Sequence, residues 1–130
     1  MTNKSFSGLR ILIAEDEYFL ADEVRAELIK TGAEVVGPVA TVRDALQRIE
    51  EDQKIDGALL DINLRGEMAF EVADALAERG IAFAFVTGYD STHLPERFAG
   101  ATTFQKPLYP DTLAALFEPM LNIGRTGSLR

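Results

Sequence analysis

The chain has 130 residues, 47% apolar and 26% charged, the profile of one soluble globular domain long enough to bury a single core. Its net charge of −8, with no Lys/Arg-rich block, argues against a phosphate-backbone footprint, so no direct nucleic-acid contact is expected. The absence of cysteine removes disulfides, thiolate zinc sites and cysteine nucleophiles, and the lone histidine, His93, supports no multi-histidine metal site.

Residues 1–8 read as a short polar extension with no long apolar segment behind it. Neither a signal peptide nor a membrane span is therefore expected, and the cytoplasm is the default location. Leu9 to Ala14 reads as a strand ending on the acidic run Glu15-Asp16-Glu17. Leu20, Val24 and Leu28, with Phe19 and Ile29 widening the stripe, predict a helix from about Glu17 to Thr31, stopped by Gly32. Its acidic first turn would suit the positive end of the helix dipole. Glu34 to Ala40 is a second strand, and Pro38 within it places it at a sheet edge, because proline cannot donate a ladder hydrogen bond. Thr41 is a candidate N-cap for a helix whose buried face is Val42, Ala45, Leu46 and Ile49.

Asp56 to Asp61 carries the continuous apolar run Ala58-Leu59-Leu60, as expected of a strand buried on both faces. Leu64 to Glu67 reads as a turn, followed by a helix with Ala69, Val72, Ala73 and Leu76 inward and Gly80 at its end. Ile81 to Val86 is a fourth buried strand ending on Thr87-Gly88, with Phe83 and Phe85 read as core. Between Tyr89 and Gly100 Pro95 limits any helix to a short one, and His93 reads as a surface residue. Thr102 to Gln105 is a brief fifth strand before Lys106-Pro107. Pro110-Asp111 opens a last helix with Leu113, Leu116, Phe117, Met120 and Leu121 on one face, and Pro119 should kink or end it.

Five alternations of strand and helix predict an α/β fold, a parallel sheet with helices on both faces and right-handed crossovers. The edge character of the second strand favours the flavodoxin-like (βα)5 three-layer sandwich, with strand order 2-1-3-4-5. The domain is expected over residues 9–121, followed by a tail at 122–130.

In such a sheet every strand ends at one rim, where ligands bind. The strand ends deliver Glu15 and Asp16, Asp61, Thr87 and Lys106 to it. Singly each is more often a turn, cap or strand-exit residue; four strand ends in this order are the signal. Carboxylates from separate strands repel unless something neutralises them, and Mg²⁺ suits an all-oxygen set with waters and a phosphate. The inventory suits phosphoryl transfer: Asp61 as nucleophile, Asp16 and Glu15 for the metal directly or through water, and the backbone carbonyl of Asn63 as a further ligand. Thr87 and Lys106 would donate to the phosphoryl group.

Four motifs, Ile-Leu-Ile-Ala-Glu-Asp-Glu (11 to 17), Leu-Leu-Asp-Ile-Asn-Leu (59 to 64), Val-Thr-Gly (86 to 88) and Lys-Pro-Leu (106 to 108), resemble the receiver domain of two-component response regulators. The resemblance covers about Leu9 to Leu121. It implies phosphorylation of Asp61 by a sensor histidine kinase or histidine phosphotransfer protein with Mg²⁺ (or Mn²⁺), conformational change around Thr87 and the fifth strand, and a cis Lys106-Pro107 bond. Two positions depart from the pattern: Glu15 stands where the family often has Asp, and Thr103 where it usually has an aromatic switch residue. Phe104 follows, but alternation turns it to the opposite side. Phe85-Val86-Thr87-Gly88-Tyr89 resembles the Phe-Ala-Thr-Gly-Tyr motif of an alphaproteobacterial subgroup, which points to Tyr89 as part of the output surface. By the same resemblance Asn63 and Tyr89, each two residues past a site residue, tune the phosphate lifetime.

The reading is a stand-alone phosphoacceptor signalling domain, not an enzyme in the ordinary sense, that promotes its own phosphotransfer and dephosphorylation and acts through a downstream protein. Its output face is expected on the fourth helix, fifth strand and fifth helix, the same face that would serve a homodimer. One alternative is a pseudo-receiver that binds without phosphate. The other is a metal-dependent aspartyl-nucleophile phosphohydrolase, disfavoured because Asn63 stands where such enzymes place a second acid.

Overall fold

The computed structural model describes residues 6–52, 54–88, 94–109 and 117. Strands β1 (Arg10–Ala14), β2 (Glu34–Val39), β3 (Gly57–Asp61), β6 (Ala82–Thr87) and β7 (Thr102–Gln105) form one sheet. Their order is β2-β1-β3-β6-β7 and every pairing is parallel. With β6 and β7 as the fourth and fifth strands, this is the predicted flavodoxin-like order. A two-stranded antiparallel hairpin, β4 (Asn63–Leu64) and β5 (Glu67–Met68), stands apart from that sheet just past the end of β3.

Helices α2 (Val42–Glu51) and α3 (Phe70–Glu78) cover one face, where Val42, Ala45, Ile49, Val72, Ala73 and Leu76 pack on Leu12, Leu60 and Phe85. Helix α1 (Tyr18–Lys30) covers the other, with Val24 and Leu28 against Ile11, Ile13, Leu59 and Val86. Every residue of β3 is buried, as a strand between two helical layers must be. Thr41 caps α2 as expected, its Oγ1 accepting from the Asp44 N–H at 3.1 Å. The last predicted helix and its Pro119 lie outside the described residues, except that Phe117 is helical and fully buried.

The edge strand accommodates its proline with a register shift, Leu12 pairing with Val36 but Ala14 with Val39. Gly37 makes this local path with φ +97°, and a Cβ there would sit 2.8 Å from the Val39 nitrogen. After β6, Glu96–Phe98 forms a single 3-10 turn, the short element that Pro95 permits. Phe98 packs edge-on to Phe83 and Phe85 and stacks with Phe70. Arg97 lies over the Phe98 ring at 4.7 Å and pairs through two nitrogens with Asp74 of α3, at 2.9 and 3.0 Å.

Three expectations need correction. Phe19 and Ile29 do not widen the α1 stripe: Phe19 is 81% exposed and Ile29 is also exposed. The buried positions are Ala21, Val24 and Leu28, and Phe19 sits about 200° round the helix from Ala21. The acidic run does not occupy the first helical turn, because α1 starts at Tyr18 and Glu17 is its N-cap residue without a side-chain capping bond. Phe6, assigned to a polar extension, is fully buried against Phe117, with its N–H donated to the Thr31 carbonyl at 2.9 Å. A single aromatic residue without periodic neighbours carries no sequence signal of this kind.

Phe6→Ala is therefore expected to lower unfolding stability by about 3–5 kcal/mol, the range for deleting a buried phenylalanine ring. Chemical denaturation of the variant beside wild type measures it.

Candidate functional site

At the C-terminal rim β1 delivers Glu15 and Asp16, β3 ends on Asp61 and β7 hands over to Lys106. Asp61 is 6% exposed. Its Oδ1 accepts from the Asn63 N–H at 3.1 Å, closing a turn of the kind the plain reading of a strand-end aspartate expects. Its Oδ2 accepts from Lys106 Nζ at 2.9 Å. Lys106 thus supplies the cation that this buried carboxylate needs.

Lys106 serves two further acids: its Nζ lies 2.7 Å from Glu17 Oε2 and 3.3 Å from the Glu15 carboxylate. Glu15 is buried, and Glu17 presents a half-exposed side chain. Burial pushes the Glu15 carboxyl up to about 8; the Glu17 N–H and Lys106 oppose the rise and the nearby Asp61 charge adds to it. Burial acts to lower the Lys106 ammonium, but hydrogen bonds to Glu17 and Asp61 outweigh it and raise its pKa above the usual lysine value.

Asp16 is held from the side by the hairpin, its Oδ2 accepting from the Arg65 N–H at 2.9 Å. The hairpin tip allows this approach because Arg65 and Gly66 both adopt positive φ, 53° and 87°. Asn63 Oδ1 braces the same tip by accepting from the Gly66 N–H at 2.7 Å. One oxygen each from Glu15, Asp16 and Asp61 lies within 4.8 Å of the others. These hard oxygen donors on a compact span fit a small divalent cation such as Mg²⁺. The cluster opens on a cleft of about 690 Å³ lined by Asp16, Asp61, Asn63, Gly88, Lys106 and Leu108, among others.

Thr87 stands at the end of β6, its hydroxyl turned to the Gly88 carbonyl at 3.3 Å rather than into the acid cluster. Its own carbonyl accepts from the Lys106 N–H at 2.8 Å, tying the ends of β6 and β7 together. The Lys106-Pro107 bond is cis, as the resemblance implied. Thr103 is exposed and pairs in register with Phe85, whereas Phe104 faces Phe117 on the other side of the sheet. Alternation therefore turns the two residues apart as anticipated. Tyr89 and His93 lie outside the described residues. Sequence reasoning missed Glu17 as a Lys106 partner and the Arg65 N–H as the support of Asp16. The first was visible only as the third member of an acidic run; for the second, the sequence predicts a turn at Leu64 to Glu67, but not that its tip would reach Asp16.

No protein-family model matches the chain. Among solved structures it is similar to SdrG of Sphingomonas melonis Fr1, 40% identical over 87% of this chain and 96% of that one, with a TM-score of 0.75. It is also similar to a response regulator receiver domain protein (CheY-like) of Methanospirillum hungatei JF-1, 30% identical over 92% of this chain and 98% of that one, with a TM-score of 0.78. Among curated proteins, the sensory transduction protein LytT of Bacillus anthracis is 34% identical over 85 residues, 63% of this chain and 34% of LytT. The chain thus spans about a third of the length of that relative. Fold and rim define a signal-receiving α/β domain. The chain belongs to the receiver domains of response regulators.

The Glu15 environment has a measurable consequence. A carboxyl raised from 4.5 to about 8 binds its proton in the folded chain where the unfolded chain has released it. Stability therefore falls as pH rises through that window. Glu15→Gln removes this dependence. In divalent-free buffer its melting temperature should match wild type near pH 5 and exceed it by a few degrees at pH 8.5.

Proposed function

We propose that Asp61 accepts a phosphoryl group from a phosphohistidine on a sensor histidine kinase or histidine phosphotransfer protein, and that the phosphorylated chain signals through a downstream protein. The reading rests on one observation above the others. Asp61 ends the central strand at the floor of an open cleft, with one oxygen held by the Asn63 N–H and the other by Lys106. In the transfer an Asp61 oxygen forms a bond to phosphorus as the phosphorus–nitrogen bond breaks. The electron pair leaves with the imidazole, which takes up a proton.

Asp16, Asp61, Glu15 and the Asn63 carbonyl would hold Mg²⁺ or Mn²⁺, whose charge offsets that of the incoming phosphoryl oxygens. The chain's own residues do the rest. The Asn63 N–H fixes the Asp61 rotamer, and Lys106 follows the charge from the carboxylate to the phosphoryl group. Thr87 gains a partner by rotating its hydroxyl away from the Gly88 carbonyl, so the bound group favours one arrangement of the β6 and β7 ends over the other. One solved relative, an SdrG 38% identical over 92% of this chain, is recorded in a BeF3-activated conformation, which supports a two-state reading of this site as well. Tyr89, two residues past Thr87, would shield the acyl phosphate from water and contribute to the output face with the fourth helix, β7 and the fifth helix.

The deciding experiment is incubation with a small phosphodonor and Mg²⁺ followed by intact-protein mass measurement. One phosphoryl adduct is expected, lost in Asp61→Asn and on removal of the metal with chelator. Continuous turnover of donor to phosphate would mark a phosphohydrolase instead, and no adduct from either a small donor or a histidine kinase would mark a phosphate-independent binding module. Tyr89→Ala is expected to shorten the half-life of the adduct several-fold, read from the decay of the phosphorylated mass; an unchanged half-life removes Tyr89 from the shielding role.

A further inference from the structure

Lys106 carries three ammonium protons, and three carboxylates surround it: Glu17 at 2.7 Å, Asp61 at 2.9 Å and Glu15 at 3.3 Å. Every donor is engaged in the resting site. The acids differ in what else they do. Glu15 and Asp61 belong to the compact oxygen triad with Asp16, whereas Glu17 stands outside that triad. Among the described hydrogen bonds and ion pairs, the Glu17 carboxylate meets Lys106 alone. Its N–H, meanwhile, donates to Glu15 Oε2 at 3.0 Å, which anchors its backbone beside the cluster.

We propose that Glu17 restrains Lys106 in the unphosphorylated site, so that a phosphoryl group on Asp61 has to displace Glu17 to take the full donor set of the ammonium. The inference rests on the phosphoacceptor reading of Asp61 and adds to it a residue that sets how readily the site loads. The carboxylate oxygen that receives phosphorus gives up much of its charge, so the Asp61 hydrogen bond passes to the phosphoryl oxygens with little loss. Glu17 keeps its full charge and its place 56% exposed at the mouth, where it holds an ammonium donor. Its hold is modest because water screens it. That makes it a tuning device rather than a lock: an ion pair at this exposure is released by a stronger acceptor in the same cleft.

Glu17→Gln keeps the side-chain length and an oxygen acceptor while removing the charge. The probe is beryllium trifluoride with Mg²⁺, followed by fluorine NMR. Glu17→Gln should bind it roughly two- to fivefold more tightly than wild type, the fold-change that an exposed ion pair is worth. In a Lys106→Met background the same substitution should have no more than a marginal effect, because Glu17 then has no ammonium to hold. A second readout needs neither metal nor trifluoride: the Lys106 Nζ protons should exchange with water faster in Glu17→Gln than in wild type. Equal or weaker trifluoride binding by Glu17→Gln, or an equal gain with and without Lys106, overturns the inference while leaving Asp61 as phosphoacceptor intact. If wild type takes neither trifluoride nor a phosphoryl group, the phosphoacceptor reading fails and this inference fails with it.

Discussion

One ammonium shared among three carboxylates holds the working rim of this receiver together. The sheet interior is apolar on both faces, so charge brought in by β1 and β3 has nowhere to go but the strand ends. There Asp61 and Glu15 sit almost out of water, and an unpaired charge at that depth would be strongly unfavourable. Lys106 reaches back from the end of β7 to meet both, across a pairing already fixed by its own N–H to the Thr87 carbonyl. Among the described residues no buried side-chain nitrogen or oxygen lacks a partner, so the site is satisfied in its resting state. It is satisfied by a cation with more acids than charge to give, which leaves it receptive to a further cation or to a rearrangement.

The opposite end of the sheet gathers a second cation with several acids, but moves one of them the other way. Arg10 of β1 pairs with Asp52 and Glu34 and donates its Nε to the Lys54 carbonyl, while its backbone N–H bonds Asp56. Desolvation is the largest influence on the Asp52 carboxylate and raises it, but the hydrogen bonds from Arg10 and the Lys54 N–H, with the Arg10 and Arg48 charges, together outweigh it and hold its pKa low. Glu15 at the other end is moved upward, with desolvation prevailing. Both ends are ionic, and the direction of the shift separates them: the first is a clamp on the strand entrances, the second a buried acid whose ionisation burial opposes.

On the α3 side of the sheet, Thr87 shares a face with Phe85, and Phe85 touches Phe83, Phe70 and Phe98. Arg97, beside Phe98, is bound to Asp74 on α3. The aromatic mass on this face therefore lies on β6 and the 3-10 turn, while the adjacent position on β7 is the small, exposed Thr103. Thr87 is also tied to β7 directly, through its pairing with Gln105 and the Lys106 N–H on its carbonyl.

Elements that sequence reasoning located well were those whose residues repeat with a physical period. The apolar run before Asp61, the Val72–Leu76 face and the proline edge of β2 all follow from burial and backbone chemistry acting on neighbours in the chain. The errors came where a partner distant in sequence decides. Phe19 looked like part of a stripe and turned outward because Ala21, Val24 and Leu28 fill the space under α1. Phe6 looked like a tail residue and is core because Phe117 meets it. The acidic run shows the same division within three residues. Asp16 and Glu15 were legible as a pair at a strand end, but Glu17 read as a helix-dipole residue because Lys106, 89 residues on, is what its carboxylate faces. No periodicity encodes that contact; it exists only because parallel strands bring their ends to one rim, so the chemistry of such a site is always set by residues that the chain keeps far apart.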